Sequence, residues 1–133
     1  MMKFLCLVHF APDAFDGCTP QDAKKLDDAT IEHDRKLRDS GHLLIASPLT
    51  DPAEAVTIGR QRMAKLSATD GPYAEAKEVI GGFLLIEARD MDEAVSLFAD
   101  DPILRYGRME IRPLMVDHRH SLTGDARPDF EPG

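Results

Sequence analysis

Apolar residues recur along this chain in two rhythms. Phe4, Cys6 and Val8 alternate with Leu5 and Leu7, so residues 3–10 are apolar on both faces and predict a strand covered on both sides. Residues 43–47 form a short apolar run closed by Pro48. Residues 79–88 form the longest such run, interrupted by Gly81 and Gly82, a pair that suggests a bulge or a close backbone approach. A last strand is expected over 109–116. Residues 55–58 and 63–66 are weakly patterned and predict a hairpin across Gly59-Arg60-Gln61-Arg62.

Two stretches follow the helical rhythm instead. From 20 to 40, Ala23, Leu26, Ala29, Thr30, His33, Leu37 and Ser40 share one face at 100° per residue, while most charged residues lie elsewhere. Thr19 is a suitable cap, Pro20 suits the first helical position, Asp22 favours the N-terminal dipole and Gly41 ends the helix. The second helix should begin after Asp90, with Met91, Ala94, Val95 and Phe98 as its stripe, and close near Asp100 because Pro102 drives Asp101 out of the helical region.

The resulting order, strand, helix, strand, hairpin insert, strand, helix, strand, predicts an α+β fold of the ferredoxin-like βαββαβ arrangement. Two helices cover one sheet face. The other is apolar at Phe4, Val8 and Phe83 or at their alternates, and a chain of 133 residues has nothing left to cover it. A homodimer with two sheets face to face is therefore expected. Residues 1–116 form the domain, and the polar stretch 117–133, with Pro128 and Pro132, reads as a tail outside the core.

Charge narrows the classes of partner. With 16 Lys and Arg against 24 Asp and Glu the net charge is −8, which repels a phosphate backbone or an anionic membrane, so neither nucleic acid nor membrane is expected as a partner. No apolar run reaches the roughly 18 residues of a membrane-spanning helix, and the opening run ends at His9, too short for a secretory signal. Cys6 and Cys18 have no metal-ligand spacing and cannot build a disulfide framework, which suits a cytoplasmic setting. No glycine-rich phosphate loop, zinc pattern or cofactor motif is present, and His118 and His120 lack a third ligand.

The run Thr69-Asp70-Gly71-Pro72-Tyr73-Ala74-Glu75-Ala76-Lys77-Glu78-Val79-Ile80-Gly81-Gly82-Phe83 resembles the signature of YCII-related proteins of the DGPF type, with Tyr73 where phenylalanine is usual. Asp101-Pro102, Arg105-Tyr106-Gly107 and Glu110-Ile111-Arg112-Pro113 are similar to later parts of the same family. The resemblance implies a ferredoxin-like fold assembled as a dimeric α/β barrel. It also implies an acid–base pair, a histidine on the first helix and an aspartate at the end of the second, which His33 and Asp101 match. Some relatives stand beside transcription factors, which implies a regulatory alternative.

The expected chemistry follows. His33 lies in the inward stripe, where it is either a satisfied core histidine or a general base, imidazole being suited to proton exchange near neutrality. A carboxylate at the close of the second helix would meet an unfavourable dipole unless a cation such as His33 stood close. A cofactor-free enzyme of the lyase or isomerase kind is the leading expectation, with His33 moving a proton on an unknown small ligand and Asp101 orienting the ring. The alternative is a dimeric ligand-binding or regulatory module without turnover. Ser47, Asp70, Tyr73, Gly82 and Phe83 are the expected ligand contacts, in a pocket bounded by the second sheet face and the 70–77 loop. No Gly-x-Ser-x-Gly elbow surrounds Ser47, which argues against a serine hydrolase.

Overall fold

The computed structural model describes residues 1–59 and 78–128, together with the backbone of 67–70. Its strands are β1 (Met2–Phe10), β2 (Leu43–Pro48), β3 (Val56–Gly59), β4 (Ser67–Asp70), β5 (Val79–Ala88) and β6 (Arg108–Pro113); its helices are α1 (Pro20–Asp39) and α2 (Met91–Ser96). The main sheet is antiparallel, in the order β2-β5-β1-β6, the split arrangement of a ferredoxin-like fold.

Local chemistry explains where α1 starts and stops. Thr19 Oγ1 accepts from the Asp22 N–H at 3.1 Å and Asp22 Oδ2 accepts from the Thr19 N–H at 3.1 Å, a reciprocal cap that satisfies two donors otherwise left open. At the other end Gly41 takes φ +83°, a left-handed conformation that favours glycine. There the Gly41 N–H reaches the Arg38 carbonyl and the His42 N–H the Leu37 carbonyl, closing a Schellman motif.

The core lies between the helices and one face of the sheet. Phe4, Cys6 and Val8 of β1 face it together with Leu84, Ile86 and Ala88 of β5, Leu37 of α1, and Ala94 and Phe98 from the α2 region. Phe4 and Ile86 are fully buried, each side chain contributing about 1.5–3 kcal/mol of transfer free energy. The alternate residues, Leu5 and Leu7 of β1 opposite Leu85 and Phe83 of β5, form the second face. Its flanks carry the Lys3–Glu87 pair at 3.9 Å and the His9–Glu110 pair at 2.9 Å.

Three boundaries differ from the sequence reading. The strand paired with Val56–Gly59 is Ser67–Asp70, with Val56 opposite Asp70, and 63–66 lies outside the described residues. The α-helical part of α2 ends at Ser96, and the chain continues through turns to Asp100. Asp101 therefore does not close that helix. It caps a short 3-10 turn, Pro102–Arg105, by accepting from the Ile103 N–H at 3.0 Å, so the anticipated dipole conflict does not arise. Finally, β6 stops at Pro113, and Met115 and Val116 beyond it are exposed. Residues 117–128 are exposed and fold on themselves: Arg119 bridges to Ala126, and Arg127 Nε donates to His118 Nδ1 at 2.7 Å.

Candidate functional site

The glycines of β5 shape the site. β1 and β5 stay in register from Met2 opposite Ala88 to Val8 opposite Gly82, then His9 faces Ile80, so Gly81 is an extra residue bulged out of the ladder. A Cβ at Gly81 would lie 2.4 Å from Phe10 Cε2, and one at Gly107 would lie 2.8 Å from Phe10 Cδ1. The Phe10 ring thus occupies a slot between two residues without side chains, and packs against Phe15 with ring centroids 4.9 Å apart. At Gly82 an added Cβ would meet the Ser47 carbonyl oxygen of β2 at 3.2 Å, so this glycine allows close strand approach.

Beside this slot lies a cleft of about 490 Å³, between α1 and the ends of β1, β2 and β5 on the helix-bearing side of the sheet. That volume suits a ring-sized ligand. Phe10, Phe15, Leu26, Ile31 and Ile103 supply much of its apolar wall; Thr30 and Ser47 bring hydroxyls; Asp27, Asp34 and Asp101 bring carboxyls. No lysine or arginine is among the described residues that line it.

His33 stands behind this wall. It is 6% exposed, and Asp101, at 8%, is its buried polar neighbour. His33 Nδ1 lies 3.5 Å from Asp101 Oδ2, beyond the usual N–H···O range of about 2.7–3.2 Å, and has no hydrogen-bond partner. The other nitrogen, Nε2, is 3.3 Å from Oδ1 of the exposed Asp100. The Phe98 ring, 6.2 Å from the imidazole centroid to centroid, fills the remaining side. An orphaned ring nitrogen in a buried residue is costly, and a shorter contact to Asp101 would satisfy it.

The expected ligand contacts separate into three groups. Ser47, Gly82 and Phe83 border the cleft, as does Asp101. His33 does not: with Leu37 it is buried in the packed core, while Ala23, Leu26, Asp27, Thr30, Ile31 and Asp34 of the same helix line the cleft. Asp70 ends β4, but its side chain, like the whole of Tyr73, lies outside the described residues. The cleft also opens on the helix-bearing face of the sheet rather than on the second face.

Asp34 is the site residue that the sequence reading passed over. Its carboxyl is pushed above the ordinary aspartate range, first by burial and then by the charge of Asp101, with His33 opposing. The signal was available, since Asp34 follows Ala23, Asp27 and Thr30 at helical spacing. Among the described residues no three His, Cys, Asp or Glu side chains are placed to hold a metal ion, and no helix is long and apolar enough to cross a membrane.

Comparison with known proteins places this architecture. An uncharacterised protein of Rhizobium meliloti is 34% identical over 84 residues, which span 62% of this chain and 67% of that protein. The solved structure of 5-chloro-2-hydroxyhydroquinone dehydrochlorinase from Burkholderia phenoliruptrix, in complex with 2,5-dihydroxybenzoquinone, superposes with a TM-score of 0.51 at 19% identity. The match covers 86% of this chain and 94% of that one. At that identity the likeness is one of fold. The model of the YCII-related domain matches residues 2–116, and the chain belongs to the YCII-related family.

Proposed function

We propose that this protein is a small-molecule enzyme of the lyase or isomerase kind that starts its reaction by moving a proton on a ring-shaped ligand. The observation that carries the reading is Asp101: a buried carboxylate, backed by the orphaned nitrogen of His33, in the wall of a cleft of ring size. Asp101 takes the proton, and the electron pair of the broken bond stays on the ligand. His33 is then a positioning residue behind it, the reverse of the roles expected from sequence. Support also comes from the structural neighbour, whose named activity is the dehydrochlorination of a hydroxylated ring. The reading includes a homodimer joined through Leu5, Leu7, Phe83 and Leu85, and a reducing, cytoplasmic setting for the free thiols Cys6 and Cys18.

A second reading has its own observation. Asp101 Oδ1 already caps the Pro102 turn and Oδ2 faces His33, as they would in a structural pair within a module that binds a ligand without turnover. A panel of dihydroxy- and trihydroxybenzenes, with and without ring chlorine, separates the two. Amide shifts at Ala46, Ser47 and Gly82 report binding, while ultraviolet spectra and chloride release report turnover. Turnover lost in Asp101→Asn supports the enzyme; binding without turnover favours the module; no shift at those amides removes the cleft as a ligand site.

A further inference from the structure

Asp34 follows His33 on α1, and one step along the helix carries it from the packed core to the cleft wall. It is half-buried, and among the described residues no hydrogen bond or ion pair reaches its carboxyl. The cations near it on its own helix are committed elsewhere: Arg35 pairs with Glu32 at 3.1 Å, and Arg38 donates to the Leu44 carbonyl at 3.2 Å. His33 holds Asp100 and faces Asp101. From the sheet side, Val8, Phe10, Ala46, Ser47 and the Gly81–Leu84 stretch bring no charge. From the Pro102 turn comes Asp101, and from two turns earlier on α1 comes Asp27, both negative.

A carboxyl in such a place keeps its proton more readily than a solvated one. We propose that Asp34 is the acid of this cleft: it donates a hydrogen bond, and then a proton, to an oxygen of a neutral hydroxylated or keto ring, while Asp101 accepts a proton from the same ligand. This deepens the proposed function and rests on it. In a keto–enol tautomerisation the balance closes. Asp101 takes the proton of a ring C–H bond, the freed pair forms the C=C bond, the carbonyl π pair moves to oxygen, and the Asp34 proton completes the new O–H. Water then returns a proton to Asp34 and removes one from Asp101. Two carboxyls in different protonation states are how one cleft runs both acid and base chemistry. With three carboxyls and no cation in its described wall, the cleft prefers a neutral ring to a carboxylate or phosphate.

The test uses the full chain labelled with 13C at its aspartate carboxyls, with resorcinol as the neutral probe and benzoate as the anionic one. Asp34, assigned by the resonance lost in Asp34→Asn, should titrate above the ordinary value of about 3.9 and move down in Asp101→Asn. Resorcinol should bind best below that midpoint and weaken by up to about tenfold per pH unit above it, because only the protonated carboxyl donates. Asp34→Asn keeps a donor and should bind resorcinol with no such pH dependence; benzoate should bind about tenfold more weakly than resorcinol at neutral pH. An ordinary Asp34 midpoint overturns the proposal. So does resorcinol binding with the same pH profile in wild type and Asp34→Asn, a result that leaves the cleft reading intact. Absence of any resorcinol or benzoate effect on the cleft amides instead overturns the ligand-site reading, and the Asp34 titration is still read separately.

Discussion

Replacing Gly107 or Gly81 by alanine probes the Phe10 slot from its two sides, and the structure predicts different outcomes. A Cβ at Gly107 would lie 2.5 Å from the His9 carbonyl oxygen as well as 2.8–2.9 Å from the Phe10 ring. The carbonyl belongs to β1, which is held by β5 on one side and β6 on the other, so it has no room to retreat. Relief needs backbone movement in the sheet, and overpacking of this kind costs about 1–3 kcal/mol. A Cβ at Gly81 would meet only Phe10 ring atoms, at 2.4 and 2.5 Å. The ring can leave by turning into the cleft, losing its packing on Phe15 but sparing the sheet. Gly107→Ala should therefore lower the melting temperature by roughly 3–15 °C, taking about 3–5 °C per kcal/mol for a chain of this size. Gly81→Ala should lower it less while changing the shifts of Ala46 and Ser47 and the affinity for cleft ligands more. Differential scanning fluorimetry and two-dimensional NMR on both variants check this. Equal, near-zero shifts in melting temperature would refute the idea of a rigid slot, and a larger loss in Gly81→Ala would refute the assignment of the hard contact.

Asp101→Ala removes the cap on the Ile103 N–H and should cost about 0.5–2 kcal/mol in urea unfolding, whereas Asp101→Asn retains a capping oxygen and should lose less. Cys6 is buried and its thiol is pushed up to about 12 by desolvation, so a thiol reagent should label Cys18 in the native protein and Cys6 only on unfolding; equal labelling rates would contradict the packing of β1. Asp22 and Asp34 should act on acid stability with opposite sign. Asp22 is held below its ordinary range chiefly by the Thr19 N–H, so its contribution is present above the unfolded value and lost as pH falls through the folded one. Asp34 is raised, so its contribution is present below the unfolded value and lost as pH rises through the folded one. Asp22→Asn should flatten the acid limb, and Asp34→Asn should raise the unfolding midpoint at neutral pH. Sedimentation should give roughly twice 14.7 kDa, and Leu7→Arg should halve it; a wild-type monomer would sink the proposed sheet-to-sheet dimer.

The element order was legible in the chain because each signal is local. Thr19, Pro20 and Gly41 mark α1 through caps made within a few residues, and the two-sided apolar runs mark β1 and β5 through the strand period alone. The Gly81-Gly82 pair likewise pointed to a bulge and a close approach, and both occur. Local patterns failed where neighbours in space decide. The partner of β3 is set by pairing between strands, and it lies four residues later than its own composition suggested. Asp101 belongs to the next turn, where it accepts from the Ile103 N–H, and that role depends on contacts beyond the helical pattern of α2. The cleft was the least legible feature, since its wall joins residues from α1, three strands and the Pro102 turn. Which of two overlapping stripes on α1 meets the core, and so whether His33 or Asp34 reaches the ligand space, is set by how the helix rolls against the sheet. A periodic sequence leaves that angle open by about one residue, and only the packing of Leu37 and His33 against Phe98 and the sheet closes it.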